Sequence, residues 1–127
     1  MKEKLIFVVD DDKLIQNFIE YSIIGREGYA AKIFSKAEDC ITNLEMNPDC
    51  IILDHYYLGK EESLMTGLEA LVKIRAVNKA VPVIVLSNNS DNELISDYLA
   101  KGATTYILKE GFFINKLWDT FDKLKLN

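Results

Sequence analysis

Three stretches of the chain are nearly unbroken in apolar residues: Leu5-Ile6-Phe7-Val8-Val9, Ile51-Ile52-Leu53 and Val83-Ile84-Val85-Leu86. Such runs suit strands buried on both faces, as in a parallel sheet covered by helices. Two more stretches, 30–34 and 104–108, mix polar and apolar positions and read as outer strands. Between them the apolar positions change to helical spacing. Leu14, Ile15, Phe18, Ile19 and Ser22/Ile23 form one stripe, and Ala37, Cys40, Ile41 and Leu44 a second. Leu68, Leu71 and Val72 form a third, and Leu94, Ile95, Tyr98 and Leu99 a fourth. Ile114, Leu117, Trp118, Phe121 and Leu124 complete the set. Ser35 and Ser90 stand where helix N-caps are expected, and Asp12 can cap a helix starting at Lys13. Gly25, Gly28 and Gly102 mark helix ends or turns.

Strand then helix, five times over, predicts an α/β fold: a doubly wound parallel sheet with helices on both faces. A length of 127 residues sets the expectation of one domain over 1–127, with no output domain. No repeat or low-complexity tract interrupts it. The longest irregular piece is 55–66, long for a strand-to-helix connection, and long loops are often functional.

Composition then removes several classes of function. Hydrophobic residues are 49% of the chain, enough for a real core, which argues against a disordered chain. Fifteen Lys and Arg against 20 Asp and Glu leave a net charge of −5, so no basic face for nucleic acid is expected. No apolar run approaches the roughly 20 residues of a membrane span. Met1-Lys2-Glu3-Lys4 leads straight into the first strand without a cleavage-site pattern, so a secretory signal is not expected. Cys40 and Cys50 lack metal-ligand company and read as free thiols, which favours a cytoplasmic setting.

The chemistry collects where doubly wound sheets bind ligands, past the carboxyl ends of the strands. Asp10, Asp11 and Asp12 come after the first strand, Asp54 ends the third, Ser87 the fourth, and Lys109 the fifth. Each alone has an ordinary explanation as a cap, turn or surface residue. Together they bring carboxylates, a hydroxyl and an ammonium to one rim. Two like charges about 4 Å apart repel by about 4 kcal/mol at an effective dielectric of 20, so clustered carboxylates call for a cation. Mg²⁺ suits them, being hard and oxygen-seeking, and one carboxylate can serve as a phosphoryl-accepting nucleophile. Other features read as structural. His55 is expected to point away from its neighbour's side, Cys40 lies in an apolar stripe, and Trp118 and Phe121 belong to a core face. Phe112 and Phe113 are divided between partner contact and partial burial.

These motifs resemble the response-regulator receiver domain over nearly the whole chain. "LIFVVDDD" is similar to the family's first strand with its acidic pair at Asp10 and Asp11, and "PDCIILD" to the third strand ending in the phosphoacceptor at Asp54. "VPVIVLSNNS" is similar to the fourth strand, ending in Ser87. "KGATTYILK" is similar to the fifth, with the switch aromatic at Tyr106 and the lysine at Lys109. The resemblance implies a (βα)5 flavodoxin-like domain with sheet order 2-1-3-4-5. It implies Mg²⁺ held by Asp11 and Asp54, by Asp10 mainly through water, and by the backbone carbonyl of Tyr56. Asp54 would take a phosphoryl group from a sensor histidine kinase or a histidine phosphotransfer protein. Lys109 would pair with it, Ser87 would bond a phosphoryl oxygen, and Tyr106 would turn inward. The face of the fourth helix, fifth strand and fifth helix would then change toward an unknown downstream protein. The family often dimerises through that face. The domain would catalyse only its own phosphorylation and dephosphorylation, and would touch neither nucleic acid nor membrane.

The chain departs from the family's pattern in places. Glu110 stands where the family usually has Pro, and a trans bond is expected there because a non-proline cis peptide costs about 2.5–4 kcal/mol. Asn88 replaces the usual small residue and would narrow access to Asp54. Tyr56 lies at a position that influences dephosphorylation in the family. Two other readings compete. A haloacid-dehalogenase-like phosphatase would use Asp10, Asp12, Ser87 and Lys109, but would leave Asp54 without a role. A phosphorylation-independent binding module would need none of the rim residues.

Overall fold

The apolar runs become the inner strands of one sheet because both of their faces are covered. The structure, a computed structural model, describes residues 3–54 and 65–124. Its elements are β1 (Lys4–Val9), α1 (Lys13–Ile24), β2 (Tyr29–Phe34), α2 (Ala37–Thr42), β3 (Cys50–Asp54), α3 (Gly67–Val77), β4 (Val83–Ser87), α4 (Asn92–Ala100), β5 (Thr105–Leu108) and α5 (Phe113–Leu124). A single 3₁₀ turn, Leu44–Met46, comes after α2 and ends at Asn47, whose φ is +55°. All strand pairs are parallel and the order is β2-β1-β3-β4-β5. Every residue of β3 and β4 is buried, whereas β2 and β5 are buried only in part, as their mixed sequences required.

Alternation along the strands divides the core in two. Phe7, Val9, Ile51, Leu53, Val83 and Val85 face α2, α3 and α4, meeting Cys40, Leu71, Ile74 and Tyr98. Ile6, Val8, Ile52, Ile84 and Leu86 face α1 and α5, meeting Ile19, Ile23, Leu117 and Phe121. Cys40 and Phe121 are buried and Trp118 is partly buried, so all three serve packing. Phe113 is buried as well, while Phe112 is 81% exposed.

Two expected caps differ. Asp91, not Ser90, caps α4, its carboxylate accepting from the Glu93 N–H at 3.2 Å. Lys36 occupies the N-cap of α2 without a side-chain bond, because the Ser35 hydroxyl instead accepts from Gln16. Asp12 does cap α1, accepting from Leu14 N–H at 2.9 Å. Thr66 and Glu69 form a capping box at the start of α3. At the amino end of the sheet, Arg75 ties α3 to its neighbours, donating to the carbonyls of Gly102, Asn78 and Val81 at 2.9, 3.2 and 2.6 Å. The turn after α4 closes with Gly102 N–H on Leu99 O and Ala103 N–H on Tyr98 O, which requires the positive φ of +113° that glycine supplies. Among the described residues, no helix is long and apolar enough to cross a membrane.

Candidate functional site

Sheet order reverses between β1 and β3, so a crevice forms past their carboxyl ends. Register brings the functional residues level there. Val9 pairs with Leu53, Asp54 with Leu86, and Ser87 with Leu108. The ladder continues one residue further at two points: Asp10 N–H donates to Phe34 O at 3.0 Å and Lys109 N–H to Ser87 O at 2.8 Å. Lys109 therefore leaves the sheet beside β4, and its side chain returns over the rim.

Asp10, Asp54 and Ser87 are all buried, and Asp11 is exposed. One carboxylate oxygen each from Asp10, Asp11 and Asp54 lies within 4.8 Å of the other two. Lys109 forms an ion pair with Asp54 and stands 3.4 Å from Asp10 Oδ2. Asp10 Oδ1 accepts from Asp12 N–H at 2.9 Å. The Asp12 carboxylate is committed to the helix cap, which removes it from the cluster and disfavours the phosphatase arrangement of Asp10 with Asp12.

Two acids and one ammonium in a dry site cannot all be satisfied. Burial and then the Asp10 charge push Asp54 up to about 7, against the opposing pull of Lys109. Asp10 is also raised, chiefly by burial, although Asp12 N–H and Lys109 pull it down. Burial disfavours the Lys109 ammonium, but Asp54 and Asp10 outweigh that and hold its pKa above the ordinary lysine value. Three clustered carboxylates face one ammonium, so the site carries a formal excess of negative charge, with Asp11 exposed at its edge.

On the other side of Ser87 lies the β4–α4 connection. Ser87 Oγ accepts from Asn89 N–H at 2.9 Å, and the Tyr106 hydroxyl donates to Asn89 O at 2.7 Å. The Asn89 residue is thus bonded on both sides of its backbone by the two residues expected to switch. The Tyr106 ring packs against the fully buried Tyr98 of α4, centroids 5.7 Å apart. Asn88 is exposed. No cis peptide occurs among the described residues, so Glu110 is joined to Lys109 in trans as expected. The Tyr56 carbonyl, His55 and the loop through residue 64 lie outside the described residues.

Sequence reasoning did not single out Gln16, and it placed Tyr98 in the apolar stripe of α4 without foreseeing its contact with Tyr106. Gln16 is a buried polar residue in an otherwise apolar helix stripe, and Tyr98 is the buried anchor of α4. A polar residue on the apolar face was the available signal for Gln16.

The response regulator receiver domain family matches residues 6–119. The chain belongs to that family. Among curated relatives, this receiver domain is 34% identical to the transcriptional regulatory protein MalR of Bacillus subtilis over 106 residues, 82% of this chain and 43% of MalR. It is 32% identical to the probable C4-dicarboxylate response regulator DctR of the same organism over 126 residues, 98% of this chain and 53% of DctR. The chain thus spans about half the length of these relatives. Among solved structures, the Vibrio cholerae chemotaxis protein CheY4 superposes with a TM-score of 0.82 at 22% identity, covering 95% of this chain and 98% of that one. The Francisella response regulator 1452 receiver domain gives 0.81 at 25% identity, covering 96% of each. The five-stranded order and the family agree with the sequence-based expectation.

Proposed function

We propose that this receiver domain is a phosphoacceptor switch in a two-component or phosphorelay pathway, with Asp54 as the acceptor. The observation that carries the reading is the placement of Asp54 at the end of the central strand β3, buried, ion-paired to Lys109, and grouped with Asp10 and Asp11. The donor is a phosphohistidine on a sensor kinase or phosphotransfer protein. An Asp54 oxygen attacks phosphorus, the P–O bond forms as the P–N bond breaks, and the imidazole leaves with the electron pair.

The donor set suits Mg²⁺. At metal–oxygen distances of about 2.1 Å, octahedral ligands stand about 3 Å apart when adjacent and about 4.2 Å when opposite. Three carboxylate oxygens within 4.8 Å of one another need only a small contraction. Asp11 and Asp54 would hold the ion directly, Asp10 mainly through water, and the Tyr56 carbonyl would add a ligand. When bound, Mg²⁺ supplies charge neutralisation for the clustered oxygens. Lys109 neutralises charge on the phosphoryl oxygens as they arrive, and Ser87 gives up its Asn89 contact to donate to one of them. Release of Asn89 frees one of two bonds on that loop, and Tyr106 holds the other. The α4–β5–α5 face then shifts, and it carries the signal to a downstream protein or a second copy of the domain.

The test is intact mass after incubation with acetyl phosphate and Mg²⁺. One added phosphoryl group, absent with EDTA and absent in Asp54→Asn, is the expected result. A gain that persists in Asp54→Asn but vanishes in Asp10→Asn would reopen the phosphatase-like reading. No gain from acetyl phosphate or from a phosphorylated histidine kinase would favour a phosphorylation-independent binding module.

A further inference from the structure

Of the three buried side chains of α1, two are isoleucines and the third is Gln16, 4% exposed. Its Nε2 carries two hydrogens and has two acceptors. One is the backbone carbonyl of Asp10 and the other is Ser35 Oγ at 3.0 Å. The Asp10 carbonyl lies past the last residue of β1, beyond the reach of the regular ladder. It belongs to the planar peptide that joins Asp10 to Asp11. The preceding peptide is already fixed, because Asp10 N–H donates to Phe34 O. With its carbonyl held by Gln16, the Asp10–Asp11 plane loses its remaining rotation.

That plane sets the direction of two of the three clustered carboxylates. Asp10 is fixed further through its side chain, by Asp12 N–H and Lys109. The exposed Asp11 has no such side-chain bond among the described residues, so its placement depends on the peptide that precedes it. We infer that Gln16 is a positioning residue for the divalent-cation site: braced by Ser35, it fixes the Asp10–Asp11 peptide and so presents both carboxylates toward Asp54. This rests on the reading of the cluster as a Mg²⁺ site. Ser35 makes the brace a link between α1, the end of β1 and the β2–α2 connection.

The experiment is isothermal titration of the metal-free domain with MgCl₂, with no phosphodonor present. Gln16→Met keeps the length and removes the donor, and it is expected to weaken Mg²⁺ binding roughly tenfold, as loss of partners that orient metal ligands typically does. Ser35→Ala, which leaves the Asp10 bond in place, is expected to weaken it by less. Ile19→Val, on the same buried face of α1, controls for loss of stability: it lowers Tm and leaves the Mg²⁺ dissociation constant unchanged. Should Gln16→Met fail to fold, Gln16→Asn, too short to span both acceptors, carries the same comparison. A dissociation constant within twofold of wild type in the Gln16 variant would overturn the inference while the metal site stands. So would equal weakening in Ile19→Val. Absence of Mg²⁺ binding in the wild-type domain would overturn the metal site, and the inference with it.

Discussion

Lys109, at the end of β5, closes an ion pair with Asp54, at the end of β3, across the whole width of β4. The two side chains are only 10% and 3% exposed. Asp10 shares the same ammonium at 3.4 Å. One cation thus answers for two buried acids, and the site's stability and its pH response both derive from that ratio.

Removing the ammonium should be costly. Lys109→Met leaves Asp10 and Asp54 facing each other without a counter-charge, and breaking a buried pair from one side typically costs about 3–5 kcal/mol. Thermal denaturation at pH 8 in EDTA should show the full loss. Millimolar Mg²⁺ should restore part of it, and phosphorylation by acetyl phosphate should be abolished.

Removing one acid should do the opposite. Asp54 ionises near 7 in the folded domain and near 3.8 in an ordinary setting. Its folded pKa is raised, so its charged form costs stability, fully above the folded value and not at all below the ordinary one. Asp54→Asn, which mimics the neutral form, should therefore stabilise the metal-free domain at pH 8 by on the order of 2 kcal/mol, several degrees in Tm. The gain should shrink through the interval between pH 7 and 4. Urea titrations across pH in EDTA check this, and a destabilised variant at pH 8 would contradict it.

The thiols give a separate test of packing. Burial pushes Cys40 up to about 12 and Cys50 higher still. Neither presents thiolate at pH 8, and neither is reachable, since both are fully buried. Ellman's reagent should find almost no thiol in the native domain and two per chain in guanidinium chloride. Rapid labelling without denaturant would show that a face of the sheet opens, the α2 side if Cys40 reacts and the α1–α5 side if Cys50 does.

Gly102 is a backbone position poorly able to accept a side chain. Its φ is +113°, and a Cβ there would stand 3.0 Å from Arg75 Nε. Gly102→Ala should cost about 1–3 kcal/mol, read by urea denaturation, with Mg²⁺ affinity unchanged.

Much of the fold and rim was legible in residue order. The central strands announced themselves because burial on both faces leaves no place for polar alternation. Asp10, Asp54, Ser87 and Lys109 stood out because each sits at the carboxyl end of a strand, where a doubly wound sheet gathers its polar groups. Asp12 declared itself a cap by standing before Lys13. The features that escaped detection depended on competition between neighbours. Ser90 and Asp91 are both good caps, and only the backbone decides which faces α4. Ser35 lost its cap role to a side chain 19 residues away. Gln16 was hidden because a helical stripe is read by its apolar members. Tyr98 is one more core residue in the sequence, and only the folded chain sets its ring against Tyr106.

Arg75 and the Gly102 turn hold α4 at one end, while its other end joins the loop that Ser87 and Tyr106 grip. A nine-residue helix is about 13 Å long. Anchored in this way, α4 would act in the proposed switch as a lever with its fulcrum far from the acidic rim. A tilt of about 10° leaves the Gly102 end almost still and carries the Asn92 end by about 2 Å. In the proposed switch the two bonds on Asn89 would latch the moving end, so the fulcrum side would set the domain's stability and the latch side how readily it moves.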